Sequence, residues 1–102
     1  MIIKIKMFSK DNIVNLKINN DKDFAEYNGK EINQDFHEEV EKLIEIFSQW
    51  KKSDNFVRLL DDETINVEVI ENRISKDISF SGDYPENIED FKMILKEIIR
   101  CF

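Results

Sequence analysis

His37 is the only histidine in this chain of 102 residues, and it stands between Asp35 and Glu38. A carboxylate beside an imidazole can orient the ring, as a general base requires. The same position lies about 100° from the apolar Phe36 on a helix, where a boundary residue of a surface helix belongs, and that plainer role accounts for it. Cys101 is the only cysteine. A nucleophilic thiol needs a helix N-terminus or a cation nearby, whereas Cys101 follows a helical pattern and meets the opposite end of the dipole. It reads as a structural thiol.

The wider inventory closes off most other chemistry. One histidine and one cysteine cannot make the usual zinc sets, and Gly29 and Gly82 are too isolated for a phosphate-cradling loop or a dinucleotide turn. Asp61-Asp62-Glu63 offers carboxylates to a divalent cation without the spaced ligands and glycine of a calcium loop. The expectation is therefore no catalytic residue, no metal and no cofactor.

What remains is surface. Glu68 and Asp77 fall on the polar side of two alternating segments, with Glu71 at the tip between them and Asp61, Asp62 and Glu63 in the preceding turn. Such carboxylates suit a basic protein surface, where complementary potential speeds association and excludes wrong partners. A second strip, Lys4, Lys6 and Lys17 with Asn15, is basic, and lysines on a wet sheet face commonly serve solubility. An exposed Trp50 would suit a partner anchor, but its place in an apolar stripe favours packing.

The net charge of −7 is skewed: residues 1–30 hold six lysines against four acids, and residues 61–102 hold five bases against eleven acids. That balance argues against direct nucleic-acid binding, which needs Lys and Arg for phosphates, and against docking on anionic membrane. With 41% hydrophobic residues, eight Phe, two Gly and one Pro, the composition is that of a globular chain rather than a disordered one. The opening Met1-Ile2-Ile3-Lys4-Ile5-Lys6 is broken by lysines, so neither a signal peptide nor a membrane span is expected. A lone cysteine fits a reducing compartment, and a cytoplasmic location is the expectation.

The elements that must position these groups follow from periodicity. Residues Asn33 to Lys52 place Phe36, Val40, Leu43, Ile44, Phe47 and Trp50 on one stripe of a helix, starting at Asn33 or at Asp35, where Asp35 and Glu38 have capping-box spacing. A helix with so wide an apolar stripe needs a sheet to lie on. Ile2 to Phe8 and Ile13 to Ile18 alternate as a hairpin, with Phe8 opposite Ile13 and Ile3 opposite Ile18, apolar on one face and basic on the other. Asp23 to Tyr27 supplies a third strand, in which Phe24 competes with Ala25 and Tyr27 for the core. Asn28-Gly29 then either closes a small hairpin with Lys30 to Ile32 or turns the chain into the helix.

Phe56 to Leu60 reads as a strand. Thr64 to Ile70 and Arg73 to Ser81 pair through a Glu71-Asn72 turn, with Val69 opposite Ile74 and Ile65 opposite Ile78; Lys76 breaks the apolar alternation. Pro85 to Arg100 is a second amphipathic helix, with acids early and bases late. The sum is a single α+β domain over 1–102: an antiparallel sheet of five to six strands with two helices on one face, in the order β-β-β-α-β-β-β-α.

The functional expectation is a non-enzymatic, acidic protein-binding domain, of inhibitor or immunity type, that occludes a basic surface on a toxin, nuclease or nucleic-acid-handling partner through Asp61, Asp62, Glu63, Glu68, Glu71 and Asp77. The alternatives are a homo-oligomeric assembly subunit using an edge strand or a helix margin such as Ile46 and Met93, and a small enzyme with an acid-based site near His37.

Overall fold

The computed structural model describes residues 1–10, 12–50, 63–81 and 84–102. In chain order these form β1 (Ile2–Phe8), β2 (Ile13–Asn19), β3 (Phe24–Tyr27), β4 (Lys30–Asn33), α1 (His37–Ser48), β5 (Thr64–Glu71), β6 (Ile74–Ser81) and α2 (Ile88–Ile99). The six strands make one antiparallel sheet in the order β4-β3-β2-β1-β5-β6. The α+β class and the two helices agree with the pattern read from sequence. The element order departs from it at one point: Lys30–Asn33 is a strand paired with β3, so four strands precede α1. Asn28 and Gly29, with φ of 47° and 90°, make the tight turn that permits this hairpin. The strand expected at Phe56 to Leu60 lies outside the described residues.

The β1–β2 register is the expected one, from Phe8 opposite Ile13 to Ile2 opposite Asn19. Ile3, Ile5, Leu16 and Ile18 are buried beneath the helices, and Ala25 joins them while Phe24 takes the opposite face. The β5–β6 register differs from expectation by two residues. The turn is Asn72-Arg73 rather than Glu71-Asn72, and Val69 faces Lys76, Val67 faces Ile78 and Ile65 faces Phe80. Both turn residues have positive φ, 51° and 65°, as the inverted two-residue turn of a twisted hairpin demands.

The energetics explain the choice. Placing Arg73 in the left-handed region costs about 1–2 kcal/mol, but burying Phe80 against Ile65 returns about 1.5–3 kcal/mol. The expected register would have set Phe80 opposite Glu63 and Lys76 opposite the buried Val67. The observed one moves Lys76 outward to the exposed end of the hairpin.

Both helices are shorter than their patterns. Asn33 ends β4, and Asp35 lies in the link before α1 rather than in a capping box; its Oδ1 still accepts the His37 backbone N–H at 2.8 Å, satisfying one of the free donors at the helix start. Pro85 to Asn87 form a turn before α2, closed by the Ile88 N–H to Pro85 O bond of 3.1 Å. The helices meet through an aromatic cluster: Trp50 packs on Phe47, Phe80 and Phe91 at centroid distances of 5.0, 5.2 and 5.2 Å. Trp50 is 6% exposed, and its indole N–H donates to Asn87 Oδ1 at 2.6 Å. Among the described residues, no helix is long and apolar enough to cross a membrane.

Candidate functional site

Strand alternation puts one residue from each strand into a single charged row across the sheet face away from the helices. Neighbour to neighbour it runs Glu31, Glu26, Lys17, Lys4, Glu68, Asp77. Acids therefore hold both edges and lysines the centre. Lys6 sits beside Lys4 on the same face, next to Asn15 and Asn66. The basic strip and the acidic pair expected from sequence are thus parts of one pattern.

At the β5–β6 edge, Glu68 and Asp77 are directly opposed. Like charges in that relation destabilise a sheet, by roughly 0.2–1 kcal/mol. Three contacts moderate the repulsion: Ser75 Oγ donates to Glu68 Oε2 at 2.9 Å, Asn66 Nδ2 donates to Asp77 Oδ1 at 2.6 Å, and Lys4 Nζ lies 3.9 Å from Glu68 Oε1. The Lys4–Glu68 pair is partly exposed, with side chains 40% and 30% accessible, so it is weak.

The other expected partner-binding residues lie elsewhere. Register places Glu71 on the helix side of the hairpin, opposite Ile74, rather than beside Glu68. Glu63 precedes β5 and turns toward α2, where Lys92 Nζ stands 3.6 Å from its Oε1 and the Tyr84 hydroxyl donates to its backbone carbonyl. Asp61 and Asp62 lie outside the described residues. The structure brings together Glu68 and Asp77 from the predicted set, and separates Glu63 and Glu71 from them.

On the helix side, α1 and the outer half of the β5–β6 hairpin enclose an open groove of about 370 Å³. Met1, Ile44, Phe47, Val67, Val69, Ile74 and Ile78 supply its apolar lining, and Ser48, Glu71, Asn72 and Lys76 its polar fringe. Ile74 is 65% exposed. Sequence reasoning missed this groove. The signal was Lys76: a charge interrupting an apolar alternation marks where the helices stop covering the strand.

His37 stands at the start of α1, with its Nε2 3.0 Å from both Asn20 O and Asp23 Oδ1 and its Nδ1 3.4 Å from Asp35 Oδ1. The Asn20 carbonyl holds the imidazole pKa above its usual value; desolvation opposes the rise, and the charges of Asp35 and Asp23 add to it. Asp23, Asp35 and His37 also offer three ligand atoms within 4.8 Å of one another. All three side chains are exposed, and each carboxylate stands nearest a different ring nitrogen, as in an ion-paired imidazolium. The geometry suits an imidazolium tethering α1 to the β2–β3 turn, and the ring is 55% exposed. Of the proposed assembly margin, Met93 is exposed and Ile46 is half-buried against the core.

Comparison with protein-family models, curated proteins and solved structures yields no match, so the functional argument rests on these residues alone.

Proposed function

We infer that this chain is a non-enzymatic protein-binding domain that engages a basic partner through its β5–β6 hairpin. The observation that supports this most strongly is the opposition of Glu68 and Asp77. Two carboxylates face each other at a cost to the hairpin, with a single lysine near one of them and neutral donors on both. A cationic side chain from outside relieves the repulsion, so the free-energy cost in the isolated chain becomes affinity in the complex. The net charge of −7 steers the same class of partner over longer range. Occlusion of a basic groove on a toxin, nuclease or nucleic-acid-handling protein, in the manner of an inhibitor or immunity protein, is the role such a surface serves. A cytoplasmic setting accords with the free, exposed thiol of Cys101.

The test is capture of partners from the native cell on the immobilised chain and on a Glu68→Lys/Asp77→Lys variant. A basic protein retained stoichiometrically by the parent, released by salt and lost by the variant is the expected result. Equal retention of every partner by both would remove the acidic pair from the account.

A further inference from the structure

We propose that the groove between α1 and the β5–β6 hairpin is the docking site for a basic amphipathic helix of the partner protein. The inference rests on the basic-partner reading for the sign of the partner's charge, and on separate residues for the site itself.

The groove exists because the hairpin outruns the helices. Along β6, burial falls from Phe80 and Ser81, which are buried, through the half-buried Ile78 to the exposed Lys76 and Ile74. The side of the strand that points toward the helices is still apolar there, and among the described residues α1 borders it through Ile44, Phe47 and Ser48, with Met1 at the β1 side. A third helix laid beside α1 would continue the helical layer over this stretch of sheet, which neither α1 nor α2 covers. A cavity of about 370 Å³ is roughly twice the size that accepts a benzene ring in a protein interior, so it has room for about two large apolar side chains.

The rim defines the flanks of that helix. Glu41 and Glu45 are exposed, one turn apart, and lie about 20° and 60° from Ser48 on the solvent side of α1. Glu71 adds a carboxylate from the hairpin. Lys76 within the lining and Arg73 at the tip are the opposing bases on the hairpin side, and the ammonium of Met1, which also lines the groove, is paired with Asp21 at 2.6 Å. The α1 residues nearest the groove are thus acidic, with Lys42 about 60° further round the helix, and the hairpin rim is mixed. A helix whose apolar stripe enters the groove and whose Lys or Arg residues, spaced by one turn, lie over Glu41 and Glu45 satisfies both rims. This is the helix-in-groove mode, with electrostatics setting orientation.

The probe is a synthetic leucine–lysine peptide of amphipathic helical pattern, with a sequence-scrambled peptide and a leucine–glutamate peptide as controls. Binding is followed by amide NMR shifts on the full chain. The expected result is saturable binding of the leucine–lysine peptide alone, with shifts centred on Ile44, Val69, Ile74 and Ile78. Ile74→Asp weakens it about tenfold or more, and Glu41→Lys/Glu45→Lys weakens it and lowers its salt dependence. Ile74 is exposed, so the variants should fold; Ile74→Thr, which keeps strand preference, provides a second and milder substitution.

Binding that survives Ile74→Asp but is lost in Glu68→Lys/Asp77→Lys would overturn the groove while leaving the acidic pair in place. The converse would uphold the groove and remove the pair. Absence of groove shifts, equal binding of the scrambled peptide, or a concentration-dependent dimer abolished by Ile74→Asp would each overturn the proposal, the last in favour of a second copy of this chain.

Discussion

Glu68 and Asp77 face each other across the β5–β6 ladder while Lys4, one strand further in, faces Glu68 from the other side. Glu68 therefore sits between an attractive and a repulsive neighbour, and Asp77 has the repulsive one. Removing the charge at Asp77 should be the less costly way to relieve the hairpin.

Asp77→Asn tests this, because an amide oxygen can still accept from Asn66 Nδ2. The expected outcome is a gain of about 0.2–1 kcal/mol, seen as a melting temperature higher by a few degrees for a chain of this size. The gain should shrink in high salt, which screens the repulsion in the parent. Partner binding should weaken in the same variant. A stability unchanged at low salt would mean that the hydrogen bonds already offset the repulsion.

The turn of the same hairpin gives a second, independent handle. Arg73 has φ of 65°, a conformation in which any Cβ is crowded. Arg73→Gly creates Asn-Gly, the residue pair best suited to this turn. It should stabilise the fold by about 0.5–1 kcal/mol, the relief of backbone strain exceeding glycine's extra entropy cost. Arg73→Val should lose more than 1 kcal/mol, roughly, because a β-branched residue tolerates positive φ worst. Urea midpoints at constant m-value measure both.

That turn also shows where sequence stops being legible. The β1–β2 pairing was readable because six apolar residues align in only one register, with no competing turn. In β5–β6, registers differing by two residues bury the same faces, so alternation cannot choose between them. The decision came from Phe80 packing on Trp50 and from keeping Lys76 out of the core, both long-range. Of the six expected partner-binding residues, Glu68 and Asp77 were legible through face parity. Glu71 was misplaced because it was read as part of a turn; as a strand residue its parity puts it on the helix side. Lys76 marked where β6 leaves the core, but the outline of the groove was not legible, because it is defined by where α1 ends relative to a hairpin distant in sequence.

Trp50 and Asn87 join the two helices through a hydrogen bond of 2.6 Å, and Asn87 Nδ2 in turn donates to Gln49 Oε1 at 3.3 Å. Asn87→Ala leaves a part-buried indole N–H without that acceptor, a loss of about 1–3 kcal/mol. Tryptophan emission and far-UV circular dichroism in urea should report it together. Combining Asn87→Ala with Trp50→Phe should cost less than the sum of the two, since both remove the same bond. Strict additivity would show that the bond carries no energy of its own.

The tether at the start of α1 predicts a pH dependence of definite sign. Protonated His37 has two N–H donors, one facing Asn20 O and Asp23 and the other facing Asp35. The neutral ring must turn one lone pair toward an acceptor, which is why its folded pKa is raised, first by the Asn20 carbonyl and then by the two aspartates against desolvation. The positive end of the α1 dipole also opposes the charged ring, and Glu38 and Glu39 in the first turn offset that. A group whose pKa is higher folded than unfolded contributes stability that is full below the unfolded value, about 6.5, and fades as pH rises through the folded value. Stability should therefore decline as pH rises from about 6.5 through the raised folded value, and His37→Gln should flatten the decline. The His37 ring protons should titrate with a midpoint above the ordinary histidine value, and Asp23→Asn and Asp35→Asn should each lower it. A midpoint at or below that ordinary value would show that the ring is not held between these acceptors in solution.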